Sequence, residues 1–125
     1  MTLRHVGICY LILQALAATA WWCLLLAYPP SRSYFMAQGA PDSTLLAFFA
    51  ADAILYIGTA TLGAFAIWAK RAWSMALLYI HAGAAGYAAL YCWALTAITG
   101  GDGLLGALLM SPSLAVPAWL CYRLK

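Results

Sequence analysis

Charge is what this chain lacks. Only 7% of its 125 residues are charged, three acidic and six basic, and glutamate does not occur at all. A soluble domain carries roughly a quarter charged residues because its surface must face water. So few charges exclude a water-soluble globule and leave lipid as the solvent of most of the surface. Also missing is any C-x-x-C pair, since Cys9, Cys23, Cys92 and Cys121 are scattered singly. That excludes the thiol relay or metal knuckle such spacing would mark. Each cysteine lies inside an apolar run, where it acts as a small hydrophobe. No metal site and no cofactor is expected. The net charge of +3 invites a nucleic-acid partner, but the basic residues sit at the edges of apolar runs and form no common face. They report membrane orientation, and no nucleic acid is expected as a partner.

What is there instead is a 67% hydrophobic sequence. It predicts an all-α integral membrane protein, a single four-transmembrane-helix bundle. The helices are expected at about residues 6–28, 43–69, 72–98 and 103–122. Each is roughly 20 residues or more, enough to cross a ~30 Å hydrocarbon layer at ~1.5 Å per residue. The first run, Val6 to Tyr28, is too long for a signal-peptide core and ends in Tyr-Pro-Pro without a small-residue cleavage site, so it is expected to be retained. Pro29 and Pro30 stop it, because proline cannot continue a hydrogen-bonded helix. Lys70-Arg71 makes a tight turn that forces the second and third helices into an antiparallel hairpin. Gly-Gly-Asp-Gly at 100–103 breaks the third helix from the fourth, which carries Pro112 and Pro117. Asp42 and Asp102 fall at helix starts, where capping is the expected role.

Arg4, Lys70, Arg71, Arg123 and Lys125 fall on one side of this arrangement, and Arg32 alone on the other. The positive-inside rule then predicts cytoplasmic N- and C-termini. A bacterial inner membrane is the expected location, with an ER-type membrane as the alternative. Small-residue spacings such as Thr59/Gly63 and Ala82/Gly86 let helix backbones approach closely. They suit a tight bundle, and equally a homodimer or a membrane-complex partner.

Ionisable groups in hydrocarbon cost a few kcal/mol or more, so each is a candidate for function. Asp52 is the one carboxylate deep in a predicted helix. Asp52, Tyr56, Thr59 and Gly63 recur at i, i+4, i+7 and i+11, one stripe of helix two facing the bundle interior. At ~1.5 Å per residue, Asp52 lies roughly 25 Å and His81 roughly 15 Å from the cytoplasmic end, too far apart in depth for a direct bond. Two polar layers follow. The outer one groups Trp21 or Trp22, Asp52, Tyr56, and Tyr87 or Tyr91; the inner one groups Gln14, Thr59 or Thr61, and His81. A carboxylate among aromatic rings suits a cationic or hydroxylated lipophilic ligand, combining charge with ring faces. The bland alternative is that these groups lock helices together, as an interhelical Gln14 or His81 would.

Three local features resemble the EXPERA-domain family of four-helix membrane proteins, which includes sterol isomerases and the sigma-2 receptor. They are an intramembrane acid in Phe49-Ala-Ala-Asp52, a histidine in Tyr79-Ile-His81 after the basic turn, and the two prolines of Ser-Pro112-Ser-Leu-Ala-Val-Pro117. The resemblance covers about residues 44–122. Helix one departs from it, with Trp21, Trp22 and Cys23 where the family has a further acid. The resemblance implies a lateral cavity for sterol-like or amine-bearing amphiphiles. In it Asp52 would be the acid-base or ligand-pairing group, with His81 below it and Trp21, Trp22, Tyr56, Tyr87 and Tyr91 lining the pocket. Isomerase-like proton transfer would use Asp52 and His81 as the catalytic pair.

Two other classes are compatible with this composition. A small multidrug-type transporter has about this length, but it uses a helix-one glutamate, and here the polar residue of helix one is the neutral Gln14. A non-catalytic subunit or assembly factor of a larger membrane complex would also be rich in Gly/Ala faces and poor in polar chemistry. Bis-histidine haem ligation is disfavoured, because His5 lies at the membrane edge, far from His81.

Overall fold

The structure is a computed structural model and describes residues 2–124. Lys125, counted above toward the cytoplasmic charge, lies outside the described residues. The chain forms four long helices, each apolar and long enough to cross a membrane: α1 (Leu3–Ala27), α2 (Asp42–Trp68), α3 (Ser74–Thr99) and α4 (Leu104–Arg123). No strand occurs among the described residues. The all-α four-helix membrane bundle expected from charge poverty is what the chain adopts.

The ends follow from local chemistry. After α1, Pro29 and Pro30 start a 3₁₀ helix, Pro29–Phe35, where their fixed φ and missing N–H are tolerated. Between α2 and α3, Lys70 takes a left-handed φ of +52° and reverses the chain. Between α3 and α4, Gly103 sits at φ +80°, and a Cβ there would come within 2.9 Å of Leu95 Cδ2. Glycine answers both demands at that corner. Neither Asp42 nor Asp102 caps a helix as expected, because the residues preceding α2 and α4 are Pro41 and Gly103. Asp42 instead pairs with Arg32. Asp102 accepts from the Gln38 backbone N–H at 2.8 Å, tying the α1–α2 connection to the α3–α4 turn.

The helices run up-down-up-down. α1 packs along α2, α2 along α3 and α3 along α4, while α4 returns to α1 over a much smaller contact. That contact is anchored at the end carrying the chain termini, where Gly7 of α1 faces Leu120 and Leu124 of α4. This end is called the inner one below, after the side on which the charge rule predicts the termini. At the outer end Phe35 of the 3₁₀ helix reaches Trp21 of α1 at 5.3 Å and borders Gly106 of α4. An inner core joins Leu11, Ala15, Ala60, Ala64, Ile67, Leu78 and Leu120 from all four helices, and an outer core joins Trp22, Leu25 and Leu45. Large apolar side chains such as Ile98 (84% exposed) and Trp68 (70%) cover the outside. In a span those residues face lipid rather than water.

α2 departs from the single regular helix expected. It turns at Ala47–Phe48 and is π-helical from Asp52 to Gly58 before α-helix resumes at Thr59. A π turn is wide and strained, and it persists where surrounding contacts hold it. Here Asp52 and Tyr56, both inside the stretch, are held by α1. Gly58 closes it, where a Cβ would sit 3.2 Å from the Ala53 carbonyl oxygen.

Candidate functional site

The wide turn of α2 presents two polar side chains to α1. Asp52 Oδ2 accepts from the Trp22 indole N–H at 3.0 Å. Trp22 is 2% exposed and is pinned edge-on by Trp21 at 4.9 Å and by Phe49 at 5.0 Å. Asp52 itself is only part-buried. Of the outer layer expected from the sequence, Trp22 and Asp52 meet, with Trp21 packed against Trp22.

Tyr56 belongs to the inner layer, not to the outer one with Asp52. Its hydroxyl donates to Gln14 Oε1 at 2.5 Å. Depth explains the correction: Gln14 stands eleven residues from the start of α1 and Tyr56 twelve from the end of α2, so both lie roughly 16–18 Å from the inner end. Gln14 Oε1 also accepts from the Ser113 hydroxyl of α4 at 3.3 Å. His81 of α3 is 0% exposed and packs on the Tyr56 ring at 4.8 Å. Its Nδ1 lies 3.2 Å from the Tyr56 carbonyl oxygen, which can only accept, so Nδ1 carries the proton. Tyr10 of α1 lies edge-on to His81 at 6.4 Å, and its hydroxyl donates to the Ser113 carbonyl at 3.3 Å.

Five residues from four helices thus meet in one polar cluster: Tyr10, Gln14, Tyr56, His81 and Ser113. Tyr10 and Ser113 had not been singled out from sequence. Tyr10 was findable, because it precedes Gln14 by four residues and so shares its helix face. Ser113, flanked by Pro112 and four residues before Pro117, carried no comparable signal.

The remaining expected site residues are placed elsewhere. Thr59 is buried, but its hydroxyl turns back to its own helix, donating to the Leu55 carbonyl at 2.5 Å. The Tyr91 ring lies tilted against Phe48, with centroids 4.9 Å apart. Tyr87 is 64% exposed and faces outward, so it does not line the interior with Asp52. The reason is helical phase: His81, Ala85 and Ala89 mark the buried face of α3, and Tyr87 falls between their turns. Thr61, the other choice for the inner layer, is exposed and bonds the Ile57 carbonyl at 2.9 Å. Asp52 and His81 share no hydrogen bond among the described residues, in keeping with their expected difference in depth.

Two hollows lie at the outer end. An open one of about 680 Å³ is walled by the α1–α2 connection, with Arg32, Asp42 and Asp102 on its rim. A smaller one of about 80 Å³ lies between Phe35, Leu45, Phe48 and Tyr91. Neither is lined by Asp52, Tyr56 or His81. No group of three or more His, Cys, Asp or Glu able to hold a metal ion occurs among the described residues.

No known protein family, characterised protein or solved structure matches this chain.

Proposed function

We propose that this membrane protein binds an amine-bearing lipophilic molecule drawn laterally from the bilayer, with Asp52 as the group that pairs its charge. One observation carries this: a carboxylate within a membrane span, part-exposed, whose one side-chain partner among the described residues is the Trp22 indole N–H. An ionised carboxylate offers about four acceptor sites. Left in hydrocarbon with most of them open, it costs several kcal/mol. A lipophilic ammonium supplies both the opposite charge and the missing N–H donors. The Trp22 ring beside Asp52, with Trp21 and Phe49 packed edge-on against it, supplies apolar and cation–π surface for the same ligand. The EXPERA-like motifs favour the same ligand class.

Binding is preferred here over isomerase-like catalysis. Proton transfer across a ligand double bond needs an acid and a base on one molecule, whereas Asp52 and His81 bond different partners at different depths.

The test is native mass spectrometry and thermal denaturation in lipid nanodiscs with dodecyldimethylamine as probe. The expected result is a probe adduct and a concentration-dependent rise in melting temperature, both lost in Asp52→Asn. Equal stabilisation of the wild type and Asp52→Asn would sink the proposal. Proton-driven uptake of the amine into vesicles would replace it with a transporter, and a stoichiometric second polypeptide in the extracted complex would replace it with a subunit role.

A further inference from the structure

His81 Nε2 is fully buried and has no hydrogen-bond partner among the described residues. Because Nδ1 carries the proton given to the Tyr56 carbonyl, Nε2 of the neutral ring is a bare lone pair, an acceptor facing no donor. An unsatisfied buried acceptor costs about 1–3 kcal/mol. Tyr10 of α1 crosses to the Ser113 carbonyl of α4 with its ring edge-on to His81, so it straps the one helix–helix boundary where contact is sparse. Beside the strap, Gln14 uses its Oε1 twice, while no bond among the described residues engages its Nε2. Tyr10 and Gln14 are both part-exposed at this boundary.

We infer that the α1–α4 boundary is a second binding site, for the hydroxyl of a neutral lipid-soluble alcohol, with His81 Nε2 as the acceptor and Tyr10 as the strap that opens. The alcohol O–H donates to Nε2 and its oxygen accepts from the Gln14 amide, so both unengaged groups are satisfied by one head group. The tail stays in the surrounding hydrocarbon, into which this boundary faces. Opening breaks one long hydrogen bond, Tyr10 to Ser113 at 3.3 Å. A ketone or ether of the same shape cannot donate and is refused. This site shares with the proposed function only the lateral approach from lipid; it does not involve Asp52.

The experiment uses the full chain, labelled with ¹⁵N-histidine, in nanodiscs of a saturated phosphatidylcholine. His81 is distinguished from His5 by the spectrum of His5→Gln. Titration with 1-hexadecanol is expected to move the His81 Nε2 resonance upfield saturably, as a lone pair gains a donor, while 1-methoxyhexadecane leaves it in place. Tyr10→Phe, which removes the strap and retains the ring, is expected to bind the alcohol roughly two- to tenfold tighter, the equivalent of one net hydrogen bond. Asp52→Asn is expected to keep the alcohol response while losing the amine response, so the two sites fail separately. The inference is overturned if the ether shifts Nε2 as the alcohol does. It is equally overturned if Nε2 already resonates as hydrogen-bonded in lipid alone and the alcohol leaves it unmoved, for water would then be its donor.

Discussion

Removing the Trp22–Asp52 contact should destabilise the bundle by an amount its surroundings bound. The indole N–H donates at 3.0 Å to a carboxylate oxygen between α1 and α2. In soluble proteins a bond to a charged group contributes about 1.5–3 kcal/mol. Interhelical bonds within membranes average ~0.6 and reach ~1.7 kcal/mol, because the separated helices find other partners. Trp22 is 2% exposed and its ring is clamped on two sides, so little orienting entropy remains to be lost. The upper part of the membrane range, about 1–1.7 kcal/mol, is therefore expected. Trp22→Phe alone also loses ring contact with Trp21 and Phe49, which mixes packing with the bond. A double-mutant cycle with Asp52→Leu cancels that packing term. Asp52→Leu by itself strands the buried Trp22 N–H but takes an ionisable group out of oil, so the two effects offset and its net change should be close to neutral. The assay is reversible unfolding in mixed micelles followed by far-UV circular dichroism, run on the wild type, both single variants and the double variant. A coupling below about 0.3 kcal/mol, the scatter expected of independent sites, would refute the view that this bond holds α2 to α1.

Four further outcomes are expected. Gln14→Leu strands the Tyr56 and Ser113 hydroxyls and should cost about 1–2 kcal/mol in the same unfolding assay, while adding Tyr56→Phe should recover part of it, because apolar replacement of both partners is nearly neutral. Gly103→Ala meets both a φ of +80° and Leu95 at 2.9 Å, so a loss of about 1–2 kcal/mol is expected, measured as a lower melting temperature. Arg32→Gln breaks the pair with Asp42, whose side chain is 52% exposed. Stability should fall by less than about 1 kcal/mol, while limited proteolysis within residues 36–41 should speed up. In a cysteine-free background, a membrane-impermeant maleimide added outside intact cells should label Gly39→Cys and spare Lys70→Cys, and the reverse pattern would invert the orientation.

Much of the bundle was legible before any coordinates. Nine charges, four apolar runs and turn chemistry at Pro29-Pro30, Lys70-Arg71 and residues 100–103 leave little alternative to four spans. Helical rise puts Asp52 near the depth of Trp21 and Trp22, but it could not choose Trp22 between them, and it grouped with them Tyr56 and Tyr87, which lie elsewhere. The π-helical stretch was not. Nothing in Asp52–Gly58 forbids an ordinary α-helix, and the wider turn is sustained by Trp22, Gln14 and His81, which lie on other helices.

The sequence by itself determined the solvent, the number of spans and their alternation, because these depend on summed apolar length and on where a few charges fall. Only the tertiary structure decided which polar atoms are satisfied and which are left bare. That Nδ1 of His81 is engaged and Nε2 is not, that Tyr87 faces outward, and that Tyr10 bridges to Ser113 depend on the rotation of each helix about its axis. Small residues on several faces of these helices permit more than one such rotation, and close packing between all four selects among them.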